Sequence, residues 1–558
     1  MRGLFTPAYC RSSQDGKVPI RAEIGRLGGR SMGFKKYVAG GALTAALLIG
    51  FSIPGKASQW NIVGSRQQAM GGAGVADTQD STANYWNPAN LAFQPGWGIH
   101  LPVTAGGSIE NNALTRLSNL LVDYDDLSVV AKGVIKCAPS CSPAQLNGLG
   151  PQQVEGIFGL LSDFATFGAN GEAVHVEASF GLAGRFKNFG FSAMSLTDGS
   201  VFPNTDVTNI RLVEPEAVAT FLDKGCPSGC GPAMDQDLVS RIDSSSSIIT
   251  QPEANDLVYL LERTGADTSD PDIRNLALAI VSDESGPLSA NTTGAVATGL
   301  SVQEIAFSIA LKIPVPFISK MSGGTHDFLE NWVHKKFAVS VTPKYMLGIT
   351  FAKYYPYNDA PSAGDIVTDL GNIDNSTLSS AFGLDVGVAY RPTNWLRLGV
   401  MARNVNSPSF KIDSPFNGSG EAILPSSVES QAQVRGGIAV LPFRNLTLAV
   451  DADITDNRLI ALPEARSRLI SIGGEYVIPF HRHFDMALRV GTYSNLSDTV
   501  NRDWALTGGL GLRFGSFHID LSGAGSFVSE EVRTGSTTYQ NFPTRLQAGL
   551  GLSWEKSL

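Results

Sequence analysis

Long runs that alternate with a period of two restrict this chain more than any other feature. Leu546, Ala548, Leu550, Leu552 and Trp554 point one way, and Gln547, Gly549, Gly551 and Ser553 the other. Leu446, Leu448, Val450, Ala452 and Ile454 alternate with Thr447, Ala449, Asp451, Asp453 and Thr455. Phe382 to Arg391 and Leu396 to Arg403 repeat the pattern, with Asp385, Arg391, Arg397 and Arg403 on the polar side. Successive side chains leave opposite faces of a pleated strand, so this is a strand signal. Soluble sandwich strands alternate too, but usually span about five or six residues. These segments run nine to fifteen, and about ten residues cross a bilayer at a tilt. Aliphatic and aromatic residues gather on one face, small and charged residues on the other. That division suits lipid outside and a polar lumen inside. The expected fold is an all-β transmembrane barrel.

About fourteen antiparallel strands are predicted, at 97–110, 172–186, 189–203, 299–312, 336–355, 380–391, 395–406, 430–442, 445–455, 466–479, 484–495, 503–514, 517–528 and 544–554. Their connectors alternate short and long, the parity of outer-membrane barrels with tight periplasmic turns. The connector 313–335 breaks that parity and is read as a small helix, HDFLENWVHKK, beneath the barrel. Pro343, inside a long strand, predicts a local break, read as an ordinary bulge with a lateral opening in the wall as the alternative. Inward Arg403, Arg435, Asp451, Asp453, Glu475, Arg489, Arg513 and Asp520 are expected to line the lumen as a charge ladder, paired with one another and with whatever fills it.

The two largest outer insertions, 111–171 and 204–298, carry helical spacing of apolar residues at Leu114–Leu127, Val154–Phe167, Glu214–Leu222, Asp256–Glu262 and Pro271–Val281. They predict a helical outer cap, with apolar faces that either form an entry groove or simply pack together. The cap holds Cys137, Cys141, Cys226 and Cys230. Two close pairs in an exported chain suggest disulfides Cys137–Cys141 and Cys226–Cys230, a four-thiolate zinc site being the alternative.

Export is read from Met32 to Ala57, where Lys35 and Lys36 precede an apolar stretch, Val38 to Ile53, and Gly55-Lys56-Ala57 offers a cleavage site. A single membrane anchor is the competing reading. Residues 1–57 are therefore assigned as leader and signal peptide, 58–96 as an N-terminal hatch and 97–558 as the barrel. The whole chain carries 42 basic and 51 acidic residues. Without residues 1–57 it has 33 and 49, a formal charge of −16, which argues against nucleic acid as a partner. Lipid and the barrel-assembly machinery are the expected partners, the latter through Gln547, Gly549, Leu552 and Trp554 near the C-terminus. That stretch resembles the signal read in other barrels, although four residues follow Trp554.

Between leader and first strand, residues 64–92 are too polar and irregular for a lipid-facing strand, and Gly71, Gly72 and Gly74 permit tight turns. A barrel this wide leaks unless obstructed, so the segment is read as a lumenal plug, with a periplasmic extension as the alternative. Met70 to Ala76, followed by Tyr85-Trp86-Asn87-Pro88-Ala89, resembles the hatch of the FadL-like superfamily of long-chain fatty-acid and aromatic-hydrocarbon transporters, which includes a branch labelled conjugal transfer protein TraF. The resemblance implies a fourteen-strand barrel, passive uptake of a hydrophobic small-molecule ligand and a movable hatch. The large early insertions fit the TraF-labelled branch better, and that branch implies docking in a conjugal transfer or secretion apparatus.

Motifs for catalysis are missing: G-x-S-x-G, a Walker loop, H-E-x-x-H and an EF-hand loop are not found. No enzyme, cofactor or metal site is expected, and His175, His481, His483 and His518 are read as solvated side chains.

Overall fold

Each alternating segment becomes a strand. In this computed structural model the described residues are 57–557, except 59, 94–95, 139, 142, 168–170, 247, 283–284, 315–329, 331, 357–375, 418–419, 460–461, 498–502 and 536–537. Residues 1–56 of the expected leader, and residues 326–329 and 331 of the expected helix under the barrel, lie outside them; of its remainder, 333–336 form a turn. The strands are β1 (Gly96–Glu110), β2 (Ala173–Phe186), β3 (Phe189–Asn204), β4 (Gly294–Lys312), β5 (Phe337–Pro356), β6 (Ser376–Tyr390) and β7 (Leu396–Arg403). They continue as β8 (Gln433–Phe443), β9 (Leu446–Asp453), β10 (Leu469–His481), β11 (Phe484–Asn495), β12 (Ala505–Phe514), β13 (Phe517–Ser526) and β14 (Arg545–Ser557). Neighbours in sequence pair antiparallel, and β14 pairs with β1 from Ser557↔Gly96 to Arg545↔Ser108, closing the cylinder.

The outward face is greasy. On β4, Ile305, Phe307, Ile309 and Leu311 are 49–62% exposed, whereas Glu304, Ala306, Ser308 and Ala310 between them are 0–3% exposed. Leaving one such large apolar side chain in water forfeits about 1.5–3 kcal/mol, and here most strands would leave two or more. At the short-turn end Phe186, Phe189, Trp395, Phe443, Phe480, Phe514 and Trp554 lie exposed around the rim, an aromatic girdle of the kind that marks a membrane interface. This is a membrane-spanning barrel of the outer-membrane type. Among the described residues no helix is long and apolar enough to cross a membrane.

The wall is not uniform. β4 and β5 are its longest strands, whereas β6 and β7 share only the rungs Val386↔Ala402 to Tyr390↔Leu398. Above them Asn406 takes over, accepting from Leu384 N–H at 2.9 Å and donating to the Phe382 carbonyl at 2.7 Å. The loop beyond carries a short ribbon, Ser409–Lys411 with Ser427–Glu429, and folds inward. Its Phe410 packs on Leu300, Val302 and Met346, where Gly348 leaves room for the ring.

Pro343 causes no bulge. The β4–β5 register runs Ala306↔Lys344 and then Ile309↔Val341 with the same offset, so the ladder breaks for two rungs beside the proline without a shift of register. The expected tail after Trp554 is also corrected, because β14 continues to Ser557.

The cap is helical, as its spacing predicts, in Ala113–Asp126, Pro151–Thr166, Val218–Gly225, Gln251–Arg263 and Pro271–Ile280. Three helices went unread: Val129–Cys137, Pro143–Asn147 and Gln236–Ser245. Thr250 and Glu253 form a capping box, and Asp235 accepts from Leu238 N–H at 2.9 Å. The apolar faces meet in a core around Phe158, Leu161, Phe221, Leu257, Leu261 and Leu276. The cap's helices thus pack on one another. Cys137–Cys141 and Cys226–Cys230 are disulfides, each at the end of a cap helix.

Two outcomes follow. Ile305→Arg, on the lipid face, should cost the barrel about 2–4 kcal/mol in reversible unfolding from lipid vesicles, whereas the same change at an exposed soluble position is near neutral. In the cap, burial and then neighbouring Asp123 push the Asp163 carboxyl up to about 7. The folded form keeps that proton after the unfolded chain has lost it at about 3.9, so cap stability falls as pH rises from 4 to 7. Asp163→Asn should flatten this fall, by about 1.4 kcal/mol per unit of upward shift removed, measured as helical melting against pH.

Candidate functional site: the hatch and the lumen wall

Residues 60–93 fill the lumen and are almost wholly buried. Their fold is built from short pieces: helices Ser65–Ala69 and Ala83–Trp86 and a 3-10 turn, Pro88–Phe93. Gly71 makes the sharp turn between the first two, at φ 68°. A Cβ there would lie 2.5 Å from the Thr492 carbonyl. Wall residues Gly473 and Gly491 are equally bare where Met70 and Gly71 press on them. Trp60, Tyr85 and Trp86 form a small aromatic core, with ring centroids 5.7–6.2 Å apart. Two of its three polar ends are satisfied, Tyr85 donating to the Asn61 carbonyl and Trp86 to that of Val63, both at 2.8 Å, whereas the Trp60 indole N–H is buried without a hydrogen-bond partner. Asn87 is extended before Pro88 and donates to the carbonyls of Val75 and Val388, tying hatch to β6.

Charge fixes the rest. Arg66 of the hatch binds Glu475 of β10 at 2.8 Å and Asp77 at 2.7 Å. Glu475 also holds Arg489 of β11 at 2.6 Å, which reaches Asp520 of β13 at 2.5 Å. Asp77 in turn pairs with Arg397 of β7. Asp451 of β9 accepts the N–H groups of Gly74 and Val75 at 2.7 and 2.8 Å. Glu555 of β14 accepts from Ser81 N–H and hydroxyl at 2.8 and 2.6 Å, and from Arg185 of β2 at 2.8 Å. Higher in the lumen Glu304, Lys344, Asp385 and Arg403 form one buried ionic cluster, and Arg403 lies 3.9 Å from the Tyr85 ring centroid. The larger of the two best cavities among the described residues holds about 30 Å³, room for a water or two. It is lined in part by Glu110, His175, Glu177 and Arg545.

A family model described as F plasmid transfer operon, TraF, protein matches residues 84–453, from inside the hatch to the last residue of β9. The chain belongs to this TraF family. No curated protein matches it. Among solved structures it resembles the toluene transporter TodX of Pseudomonas putida, at 12% identity over 90% of this chain and 100% of that one, TM-score 0.37. A FadL homologue of Pseudomonas aeruginosa is 12% identical over 90% and 99%, TM-score 0.41. The toluene transporter TbuX of Ralstonia pickettii is 11% identical over 89% and 98%, TM-score 0.37.

In this TraF-family barrel Gly71, Gly72, Gly74, Asn87, Pro88 and Ala89 all lie in the plug. Of the ladder, Glu475, Arg489 and Asp520 form one chain of pairs, Arg435 binds Asp453 at 2.6 Å, Asp451 caps the hatch backbone, and Arg403 belongs to the upper cluster. Arg513 departs: it stands half-exposed at the short-turn rim beside Phe514, paired with Asp485, because the strand reaches the turn there. His175 departs as well, being 3% exposed rather than solvated. His481 and His483 share their short turn, in the open. Glu304, Lys344, Arg185 and Glu555 were missed as lumen charges. Inward parity on already assigned strands identifies the first three, whereas Glu555 lies one residue past the expected end of the last strand.

Gly71→Val should unseat the plug. The unmodified protein is expected to be silent in a planar bilayer and the variant to pass a steady current. Glu475→Gln takes one carboxylate partner from both Arg66 and Arg489, which keep Asp77 and Asp520, and should cost about 1.5–3 kcal/mol, the usual worth of a hydrogen bond to a charged group, read as a lower urea midpoint.

Proposed function

We propose that this protein is an outer-membrane barrel for passive uptake of small hydrophobic molecules, with residues 60–93 as its gate. The observation that carries the reading is how the plug is held. Its wall contacts are ion pairs, hydrogen bonds and bare glycine surfaces, interspersed with separate apolar patches at Met194, Met401, Ala389 and Ala439. Water can replace the polar contacts one at a time, whereas continuous apolar packing would cement the segment. The likeness of the hatch sequence to FadL-like transporters supports the same reading.

One observation favours a second function. The lumen face is polar, and residues 60–93 fill the space it encloses. Together with the family's description as a transfer-operon protein, this supports a docking component of a conjugal transfer or secretion apparatus, with the folded cap as its contact surface.

Uptake of a radiolabelled long-chain fatty acid or alkane separates the two. Cells making the protein should accumulate label several-fold faster than cells without it, and deletion of residues 64–92 should raise the rate and abolish its selectivity. Equal accumulation with and without the protein, accompanied by a drop in mating frequency on gene loss, would sink the transport reading in favour of docking.

A further inference from the structure

Where β2 and β3 run side by side under the cap, two rungs on either side of Val176↔Gly199 place polar residues on the lumen face: His175↔Ser200 and Glu177↔Asp198. Directly opposed residues of antiparallel strands hold their Cβ atoms about 4.5–5.5 Å apart. Two carboxylates therefore face each other across one rung, with an imidazole diagonal to them. Ligand atoms of His175, Glu177 and Asp198 all lie within 4.8 Å of one another, and His175 Nε2 stands 3.9 Å from Asp198 Oδ1.

Such a trio is costly as it stands. Like charges this close repel, and burial strengthens the repulsion. Among the described residues neither Glu177 nor Asp198 has a lysine or arginine within ion-pair distance. Asp198 accepts only an amide, that of Asn61 in the hatch, at 3.1 Å. Glu177 Oε1 accepts the Gln547 amide of β14. Glu177 Oε2 and His175 Nε2 are both buried with no hydrogen-bond partner. His175 is itself 3% exposed, and its Nδ1 lies 2.9 Å from the Ser200 hydroxyl. An imidazole so held by one nitrogen presents the other, which is how metal-ligating histidines are oriented. Both His175 and Glu177 line the small cavity of about 30 Å³ described above.

We propose that His175, Glu177 and Asp198 bind one divalent first-row transition-metal ion, for which zinc(II) serves as the probe. One imidazole nitrogen and two carboxylate oxygens suit such an ion, with a fourth position left to water. Tetrahedral bonds of about 2.1 Å place ligand atoms about 3.4 Å apart, so side-chain rotations of about an ångström close the set. The ion cancels the facing charges and satisfies both orphaned atoms. It also sits where β2, β3, β14 and hatch residue Asn61 converge, so it braces wall against plug. This assignment does not depend on whether the barrel transports or docks.

The test uses the tag-free full mature chain folded in detergent, in a His481→Ala/His483→Ala background that removes the exposed turn histidines. Zinc content after gel filtration and competition with a chromophoric chelator give stoichiometry and affinity. One zinc per chain is expected at micromolar dissociation constant or tighter, together with a higher melting temperature. His175→Ala and Asp198→Asn, each shown folded by heat-modifiable gel mobility, should weaken binding by about a hundredfold. No zinc retained by the background chain, or zinc retained undiminished in folded His175→Ala, overturns the site. If the variants fail to fold, X-ray absorption of the zinc-loaded background chain decides. One imidazole in an oxygen-rich shell upholds the assignment, and no imidazole scattering overturns it.

Discussion

Hydrocarbon offers no hydrogen bonds, so a strand in a membrane must find every backbone partner in another strand. An open sheet fails at its two edges, and the ladder between β14 and β1 is what removes them here. Nearly everything else is forced by that closure. Fourteen strands enclose a space too wide for wall side chains to fill. The inner face must be polar to divide cleanly from the lipid face, and polar groups out of bulk water demand partners. The hatch answers both requirements, filling the space and supplying the counter-charges.

The resulting interior is an electrostatic assembly more than an apolar core. Arg66, Glu475, Arg489 and Asp520 form a continuous chain from plug to wall, and Asp77, Asp451 and Glu555 anchor three further points of the plug. Buried ionic contacts contribute little net stability but fix geometry strongly, since any misplacement leaves a charge unpaired. The largest apolar cluster is in the cap, which folds on its own inserted helices, and smaller ones lie around Trp60, Tyr85 and Trp86, around Leu91 and around Met70.

Most of the barrel was legible in the sequence because period-two alternation over ten residues is hard to mimic, and parity then assigns each side chain to lipid or lumen. Strand ends were less legible. β4 begins earlier than expected, at Gly294, since its upper residues are small and flank a polar loop. Helices Val129–Cys137 and Gln236–Ser245 escaped because each is short and carries little apolar spacing beyond its buried face. Partners across the lumen were not legible at all. Arg66 and Glu475 are far apart in sequence, and nothing local in either one announces the other. The same is true of His175 and Asp198, whose proximity depends on the β2–β3 register. Pro343 misled because a proline usually interrupts a ladder, yet here the flanking register simply omits two rungs.

The anchor at Ser81 has a consequence for biogenesis. Its acceptor, Glu555, lies in the final strand, beside the seam that shuts the cylinder, and Arg185 of an early hairpin completes the contact. The first folded segment of the chain therefore cannot settle until the last has been synthesised and zipped in place. A chain cut short of Glu555 lacks both the seam that closes the wall and the carboxylate that holds Ser81 and Arg185.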